Sequence, residues 1–540
     1  MPEQAWDLAL SKRSAIKMAT NLEIAPGKLA SVNPATGEVL RELESAGDRE
    51  IQQAVARARA VQPAWFELGT RQRIARLKRF QQLLQQRKSA VAQLITREAG
   101  KPYVEALTTE VVVVLDAVRF LIENAYGILR IEPVRHGNLA MKPKVGHLLR
   151  EPYGVIGIIS PWNYPFSIPA TQGLAALVAG NAVVLKPSEL TSLVAFELAE
   201  LVHAAGIPPH AFQVVVGNGA TGKAVADSEI DKLIFTGSAA TGRVIGERAA
   251  RRFLPLILEL GGKDPMLVLK DADIDVASSG AVWGAFVNAG QACLSTERCY
   301  VQRAILPSFV EACVRKTEQL RVGNGMDPET DLGPMIHERQ LQIVERQVEE
   351  ARAAGAQVLT GGRRLRELGP NFYAPTVLVN VNHSMRIMRE ETFGPVLPIM
   401  AFDAEEEAIA LANDSDYGLS ASIWTRDRGR AEVLARRLAA GSVLINDVVS
   451  SYGISEAPHG GVKASGIGST HGRFGVEEMV RVKYVAAERL PGMKKPWWYR
   501  YGRTFSRQIE ALLDFQFAAR MTERLKGALR SAGVLSNRRL

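Results

Sequence analysis

At 540 residues the chain is too long for one hydrophobic core, so two or three domains are expected. Its 47% apolar and 23% charged content is that of a globular protein, which excludes a disordered or fibrous chain. Three cysteines, Cys293, Cys299 and Cys313, are too few for a disulfide framework and fit a reducing cytoplasm. Residues 1–25 lack the apolar core of a secretory signal, and the longest apolar stretch, near Leu174–Leu185, is too short to cross a bilayer.

From Asp48 to Glu98, Ile51, Val55 and Ala58, then Ile74, Leu77, Phe80 and Leu84, recur at helical spacing. No long helix is expected between Ile131 and Pro152. Beyond it, 154–160, 182–185, 212–216 and 232–235 are short continuous apolar runs, separated in part by helical stretches such as Leu193–Ala204. Buried parallel strands alternating with helices predict a doubly wound sheet. A second α/β set follows, with strands at 266–269, 299–302, 376–379, 396–400, 420–424 and 442–445. Two α/β domains meeting near Glu259 leave a cleft between them, a usual place for an active site.

The charge is concentrated at the end of the chain. Residues 491–540 hold 11 Lys and Arg against 3 Asp and Glu, so this tail carries +8 of the net +9. It opens with Lys494-Lys-Pro-Trp-Trp-Tyr-Arg-Tyr-Gly-Arg503, and a helical pattern then places Phe505, Ile509, Leu512, Leu513, Phe517, Met521 and Leu525 mostly three or four apart. Two readings compete for this amphipathic basic segment: docking on its own body or a neighbouring subunit, and contact with an anionic membrane surface. Nucleic-acid binding is not expected, because no recognised module accompanies the charge.

Several short motifs carry chemistry. Lys186-Pro-Ser-Glu189 ends a predicted strand, the edge where ligands bind in open sheets. A carboxylate there accepts hydrogen bonds from ribose hydroxyls and repels a 2′-phosphate, so Glu189 favours NAD; the Lys186 ammonium leaves NADP as an alternative. Gly217-Asn-Gly-Ala-Thr-Gly222 matches a dinucleotide fingerprint, but no acidic residue ends a strand about 20 positions on. Cys293 closes a small-residue loop, Phe286-Val-Asn-Ala-Gly-Gln-Ala-Cys293, and is a candidate nucleophile. Glu259, at the end of an apolar strand, is a candidate general base. Cys299 and Cys313 read as small core hydrophobes.

Pro161-Trp-Asn-Tyr-Pro165, Leu258-Glu-Leu-Gly-Gly-Lys-Asp-Pro265, the Cys293 loop and Glu390-Glu-Thr-Phe-Gly-Pro-Val396, in this order, resemble the non-acylating, NAD(P)-dependent aldehyde dehydrogenase superfamily, from about Asn33 to about Val485. The resemblance implies an α/β protein of two doubly wound α/β domains, a Rossmann-like cofactor domain and a catalytic domain, plus a β oligomerisation arm. Residues 20–130 and 152–258 would bind the cofactor and 259–455 would form the catalytic domain. Residues 131–151 and 456–490 would bridge subunits of a homodimer or homotetramer, and 491–540 would be a basic amphipathic tail. It also implies oxidation of an aldehyde to a carboxylic acid through a Cys293 thiohemiacetal and thioester, with the Asn163 amide and the Cys293 N–H holding the oxyanion and Glu259 activating water. For the cofactor, it implies phosphate binding at Phe235-Thr-Gly-Ser-Ala-Ala-Thr-Gly242, where Gly237 and Ser238 open a helix, with Trp162, Lys186 and Glu189 nearby and Glu391 and Phe393 at the nicotinamide end. No metal is expected.

Departures from the family bear on the substrate. Gln172 stands where many members have lysine, and Thr470 where the same members have glutamate, so a proton-relay pair is missing and protons are expected to leave through water. His459 and Thr171 replace a common phenylalanine and tryptophan, which predicts a less aromatic access tunnel. Thr470-His-Gly-Arg473 is similar to a Tyr-His-Gly-Lys stretch of the fatty aldehyde dehydrogenases. Together with the tail it points to a medium- or long-chain aliphatic aldehyde and a cytoplasmic enzyme peripheral to a membrane. The alternatives are a succinate-semialdehyde-like dehydrogenase and a CoA-acylating one, the latter disfavoured by Glu259. A cysteine hydrolase is disfavoured by Lys186, Glu189, Ser238 and Glu391, and an inactive scaffold by the intact Cys293, Glu259 and Asn163.

Overall fold

Apolar residues alternate between two faces along the first set of strands, which is why those strands read as continuous apolar runs. Ile156, Ile158, Val183, Leu185, Ile234 and Ile257 join one buried cluster; Val155, Ile159, Val184, Leu233, Phe235 and Leu258 join another. Helices Gly69–Ala99, Val112–Leu129, Ser167–Ala179 and Ser192–Ala204 contribute to the first face, and Asp48–Glu67, Gly219–Asp227 and Ala239–Arg251 to the second. Burial on both faces is what a parallel sheet requires. These contacts come from a computed structural model that describes residues 23–25, 27–138, 141–492, 495, 497–499 and 501–531.

The six-stranded sheet runs in the order Gly466–Ile467, Leu256–Glu259, Lys232–Thr236, Val155–Ile159, Ala182–Lys186, Phe212–Val214. All neighbours are parallel except the short Gly466–Ile467 edge. Strand order reverses between Val155–Ile159 and Lys232–Thr236, the switch point at which a crevice opens beyond the carboxyl ends. A seven-stranded sheet follows, in the order Gln357–Thr360, Thr376–Val379, Val396–Phe402, Thr296–Gln302, Asp264–Val268, Ser420–Trp424, Ser442–Ile445. Only its Gln357–Thr360 edge is antiparallel. The expected α/β architecture of two doubly wound sheets is thus present.

Both sheets belong to one compact unit, the described residues up to Arg130 together with 150–482. A small antiparallel sheet of Glu23–Ala25, Lys28–Val32 and Val39–Glu44 precedes them; the sequence reading had placed no strands there. The second unit, residues 131–149 and the described part of 483–540, is built on strands Glu132–Val134, Lys144–Pro152 and Val480–Glu488, the last two shared with the first unit. Its tail is two helices, Arg503–Phe517 and Met521–Ser531, where the apolar spacing predicts one continuous pattern. Ala518 breaks it by adopting an extended conformation (φ −60°, ψ 139°), a break with no glycine or proline to announce it. Residues 532–540 of the predicted tail, and Lys494 and Arg500, lie outside the described residues.

Candidate functional site

Strands of the six-stranded sheet deliver candidate residues at their carboxyl ends. Val155–Ile159 leads to Trp162 and Asn163, Ala182–Lys186 ends on Lys186 just ahead of Glu189, Lys232–Thr236 leads to Gly237 and Ser238, and Leu256–Glu259 ends on Glu259. The seven-stranded sheet contributes from its amino edge: Cys293 precedes Thr296–Gln302, and Glu391 and Phe393 precede Val396–Phe402. The two sets meet at Gly261 and Gly262. A Cβ on Gly262 would lie 2.5 Å from the Cys293 carbonyl oxygen, and one on Gly261 2.5 Å from the Glu391 carboxylate. Glu391 thus fills the space beside Gly261 and accepts the Gly262 N–H at 3.1 Å.

Asn163 is buried and fixed on three sides. Its carbonyl accepts from Lys101 Nζ at 2.8 Å and from Asn288 Nδ2 at 3.0 Å, and its own amide donates to the Gln291 carbonyl at 3.0 Å. That last bond ties it to the Cys293 loop. Lys101 is itself paired with Glu110 at 2.8 Å, both side chains fully buried, and Glu110 also accepts the Phe166 and Ser167 N–H groups at the start of helix Ser167–Ala179. Breaking such a buried pair typically costs about 3–5 kcal/mol. Glu110 owes its position to a π-helical turn, Ala106–Val111, which widens the helix locally. Glu105, just before it, accepts the Asn288 N–H at 2.9 Å, and burial raises its carboxyl to about 7. Asn288 and Ala289 adopt left-handed conformations (φ 54° and 55°), sparsely populated for such residues and common where a site is held under strain. Lys101, Glu105, Glu110 and Asn288 have no family of spacings in sequence that would single them out; only the π-turn and the loop reversal bring them under Asn163.

Glu259 is buried, and burial raises its carboxyl above the ordinary range, partly offset by His459 and by Thr470. The Thr470 hydroxyl donates to Oε1 at 2.5 Å, and His459 Nε2 lies 3.7 Å from Oε2. Paired backbone bonds of 2.7 Å between His459 and Thr470 in both directions lock them opposite each other. Thr470 also contacts His471 Nδ1 at 3.1 Å, and burial depresses the His471 imidazole to about 3. Gln172 turns away from this group and donates to the Thr236 hydroxyl at 3.0 Å. Thr171 meets the Tyr452 hydroxyl at 3.2 Å, and the Tyr452 ring packs on His459 and His471 at 4.9 and 4.4 Å. Aromatic surface missing at Thr171 and His459 is therefore supplied from a distant loop, which the sequence could not show.

Cys293 is half-buried. Burial, then Asp264, Glu259 and Glu391, raise its thiol well above the usual value, the opposite of what a nucleophile needs. Cys299 and Cys313 are buried core residues, as expected.

The donor set along the crevice fits a dinucleotide. Lys186 Nζ and Glu189 Oε2 stand 3.3 Å apart. Ser238 is exposed and caps the 13-residue helix Ala239–Arg251, accepting the Thr241 N–H at 3.4 Å, so the first N–H groups of that helix face outward. The competing glycine loop is committed to structure: Asn218 caps helix Gly219–Asp227, and Thr221 is buried and donates to the Ala46 carbonyl at 3.0 Å. Trp162 and Phe393 meet edge to face at 5.4 Å. Burial, then Glu297, raise Glu391 to about 8. Glu297, which sequence reasoning missed, accepts the Thr392 and Phe393 N–H groups at 2.8 and 2.9 Å and pairs with Lys263 Nζ at 2.5 Å. It thereby holds the loop that carries Glu391 and Phe393.

Comparison with known proteins shows what the whole chain is similar to. Residues 23–485 match the model of the aldehyde dehydrogenase family. The chain is 41% identical to the 4,4'-diapolycopene aldehyde oxidase of Methylomonas sp over 492 residues, 90% of this chain and 91% of that one. It is 38% identical to the mitochondrial succinate-semialdehyde dehydrogenase of Oryza sativa subsp. japonica, over 86% of this chain and 87% of that one. The NAD+ complex of the aldehyde dehydrogenase from Bacillus cereus superposes with a TM-score of 0.82 at 35% identity, covering 85% of this chain and 93% of that one.

Proposed function

The chain belongs to the aldehyde dehydrogenase family and is an NAD(P)-using oxidoreductase, and on that premise we propose that it oxidises an uncharged, apolar aldehyde to its carboxylic acid. The observation that carries the proposal is the convergence of three groups: the Asn163 amide is bonded to the Gln291 carbonyl, two residues before Cys293, and Glu259 is among the acidic groups bearing on the thiol. Similarity to a diapolycopene aldehyde oxidase over nine-tenths of the chain supports a lipophilic substrate. NAD rather than NADP follows from Glu189.

NAD(P), when bound, would supply the hydride acceptor. Trp162, Phe393 and Glu391 would hold its nicotinamide end, Lys186 and Glu189 its adenosine ribose, and Gly237 and Ser238 its phosphates. Cys293 Sγ, its thiol proton released to water, adds as the thiolate to the aldehyde carbon, and the Asn163 amide and the Cys293 N–H receive the oxyanion. Once the carbon is oxidised to a thioester, Glu259 takes a proton from the attacking water; the C–S bond breaks, the acid leaves and Cys293 regains its thiolate. Thr470 and His459 steady the Glu259 carboxylate. A homo-oligomer is the family arrangement, and the largely exposed strand Val480–Glu488, with Tyr484 and Val485 facing outward, supports it here. An apolar substrate partitions into bilayers, and we place the enzyme at a membrane surface rather than across it: among the described residues no helix is long and apolar enough to span one.

The substrate reading is tested by NADH formation with straight-chain aldehydes of increasing length, NAD and NADP in parallel. Rising kcat/KM with length and a preference for NAD are expected; preference for succinate semialdehyde would refute it. His459→Phe keeps the packing on Tyr452 and removes the imidazole that favours ionised Glu259. The Glu259 carboxyl then rises further, so the acid limb of the hydrolysis-limited rate should move to higher pH. An equal loss at every pH would reduce His459 to packing.

A further inference from the structure

The packing of the C-terminal helical hairpin consumes small residues and leaves large ones outside. Ala511 and Gly527 are buried at its crossing; a Cβ on Gly527 would lie 2.4 Å from the Phe515 nitrogen and 2.6 Å from the Ala511 oxygen, so the two backbones touch. The turn is held by the Ala518 N–H on the Asp514 carbonyl at 3.1 Å and by Arg524 Nε on the Ala518 carbonyl at 2.6 Å. Met521, Leu525 and Leu529, four residues apart on one helix face, are 68%, 61% and 81% exposed, and Phe517, just before the turn, is 72% exposed. Trp498, Tyr499 and Tyr501 are also exposed ahead of the first helix. Arg503, Arg507, Arg520, Arg524, Lys526 and Arg530 are all exposed on the same hairpin, against Glu510, Asp514 and Glu523.

An apolar stripe framed by arginines, with tryptophan and tyrosine beside it, matches one surface chemically: acyl chains beneath anionic headgroups. We propose that this hairpin docks on an anionic lipid bilayer, Phe517, Met521, Leu525 and Leu529 entering the acyl boundary and the arginines meeting headgroup phosphates. A second copy of the chain fits less well. It would bring the same cations face to face, and the cores of protein interfaces are depleted in charge. The remainder of the chain carries only +1 of the net +9, so it offers no acidic counter-surface by net charge. The inference gives the proposed lipophilic substrate a place to be met, but the contact itself is independent of the substrate's identity.

The test is sedimentation of the full-length protein with vesicles of phosphatidylcholine alone or mixed with phosphatidylglycerol. Binding to the mixed vesicles is expected, weakening with salt. Both Arg520→Glu/Arg524→Glu and Leu525→Ser/Leu529→Ser should lower it by roughly tenfold or more, with oxidation of a short, water-soluble aldehyde unchanged. No binding by the wild type, equal binding to both vesicle types, or wild-type binding by either double variant would overturn the proposal. So would a loss of oligomeric state in the variants without any vesicle binding by the wild type, which would put the stripe between copies. Failure of the long-chain aldehyde assay with vesicle binding intact would refute the substrate reading and leave the docking surface standing.

Discussion

Cys293→Ala is expected to abolish aldehyde oxidation, by roughly four orders of magnitude or more, while NAD binding is retained. The aldehyde carbon is flat and surrenders hydride poorly until a nucleophile makes it tetrahedral. In the proposed mechanism that nucleophile is the Cys293 thiol, whose loop is tied to Asn163 through the Gln291 carbonyl. Alanine removes one half-buried sulfur and leaves the Lys186–Glu189 pair, the Ser238 helix start and the Trp162–Phe393 contact in place. Calorimetric titration with NAD together with steady-state NADH formation separates binding from chemistry. Activity near that of the wild type would end the covalent mechanism; loss of NAD binding as well would mean that the loop, not the thiol, had been damaged.

Glu259→Gln should divide the reaction in two. Glutamine keeps an oxygen for the Thr470 hydroxyl, which lies 2.5 Å from the carboxylate, but it cannot take a proton from water. Hydrolysis should fall by roughly 10²–10⁴-fold, while thioester formation continues. Rapid mixing with aldehyde and NAD should then give a burst near one NADH per subunit, and intact-protein mass measurement should find the acyl group on Cys293. In the wild type, burial holds the Glu259 carboxyl above the ordinary range, so the base is lost by protonation at a higher pH than for a free carboxylate. The acid limb of hydrolysis should therefore sit above that range and vanish in the glutamine variant. Absence of a burst would show that Glu259 is needed before the thioester, and the proposed division of labour would fall.

The sequence was most informative where chemistry and backbone coincide. Asn163, Glu259 and Cys293 each follow or precede a strand that is apolar on both faces, so the motif and the element could be read together. The weakness of the first glycine loop as a dinucleotide site was also legible, because it lacks the acidic residue that a ribose needs. The supports of these residues were not. Lys101 and Glu110 sit nine apart and face each other at 2.8 Å only because a π-turn intervenes. Glu297 reads as one charged residue in a strand, yet it holds the Glu391 loop by three bonds. In the tail, helical periodicity survived the break at Ala518, because a pattern of threes and fours runs unchanged through a turn that carries no sequence signal.

By itself the sequence determined the two α/β sheets and the family, since alternating apolar runs dictate buried strands, and it nominated Cys293, Glu259 and Asn163 as nucleophile, base and oxyanion donor, since a reactive group needs its own residue type at a strand end. Only the tertiary structure decided what those groups feel: that three acidic side chains bear on the thiol, that Thr470 and His459 bear on Glu259, and that the tail turns its large apolar residues outward. Electrostatics and burial depend on distances between residues far apart in the chain, and those distances exist only once the sheets have packed.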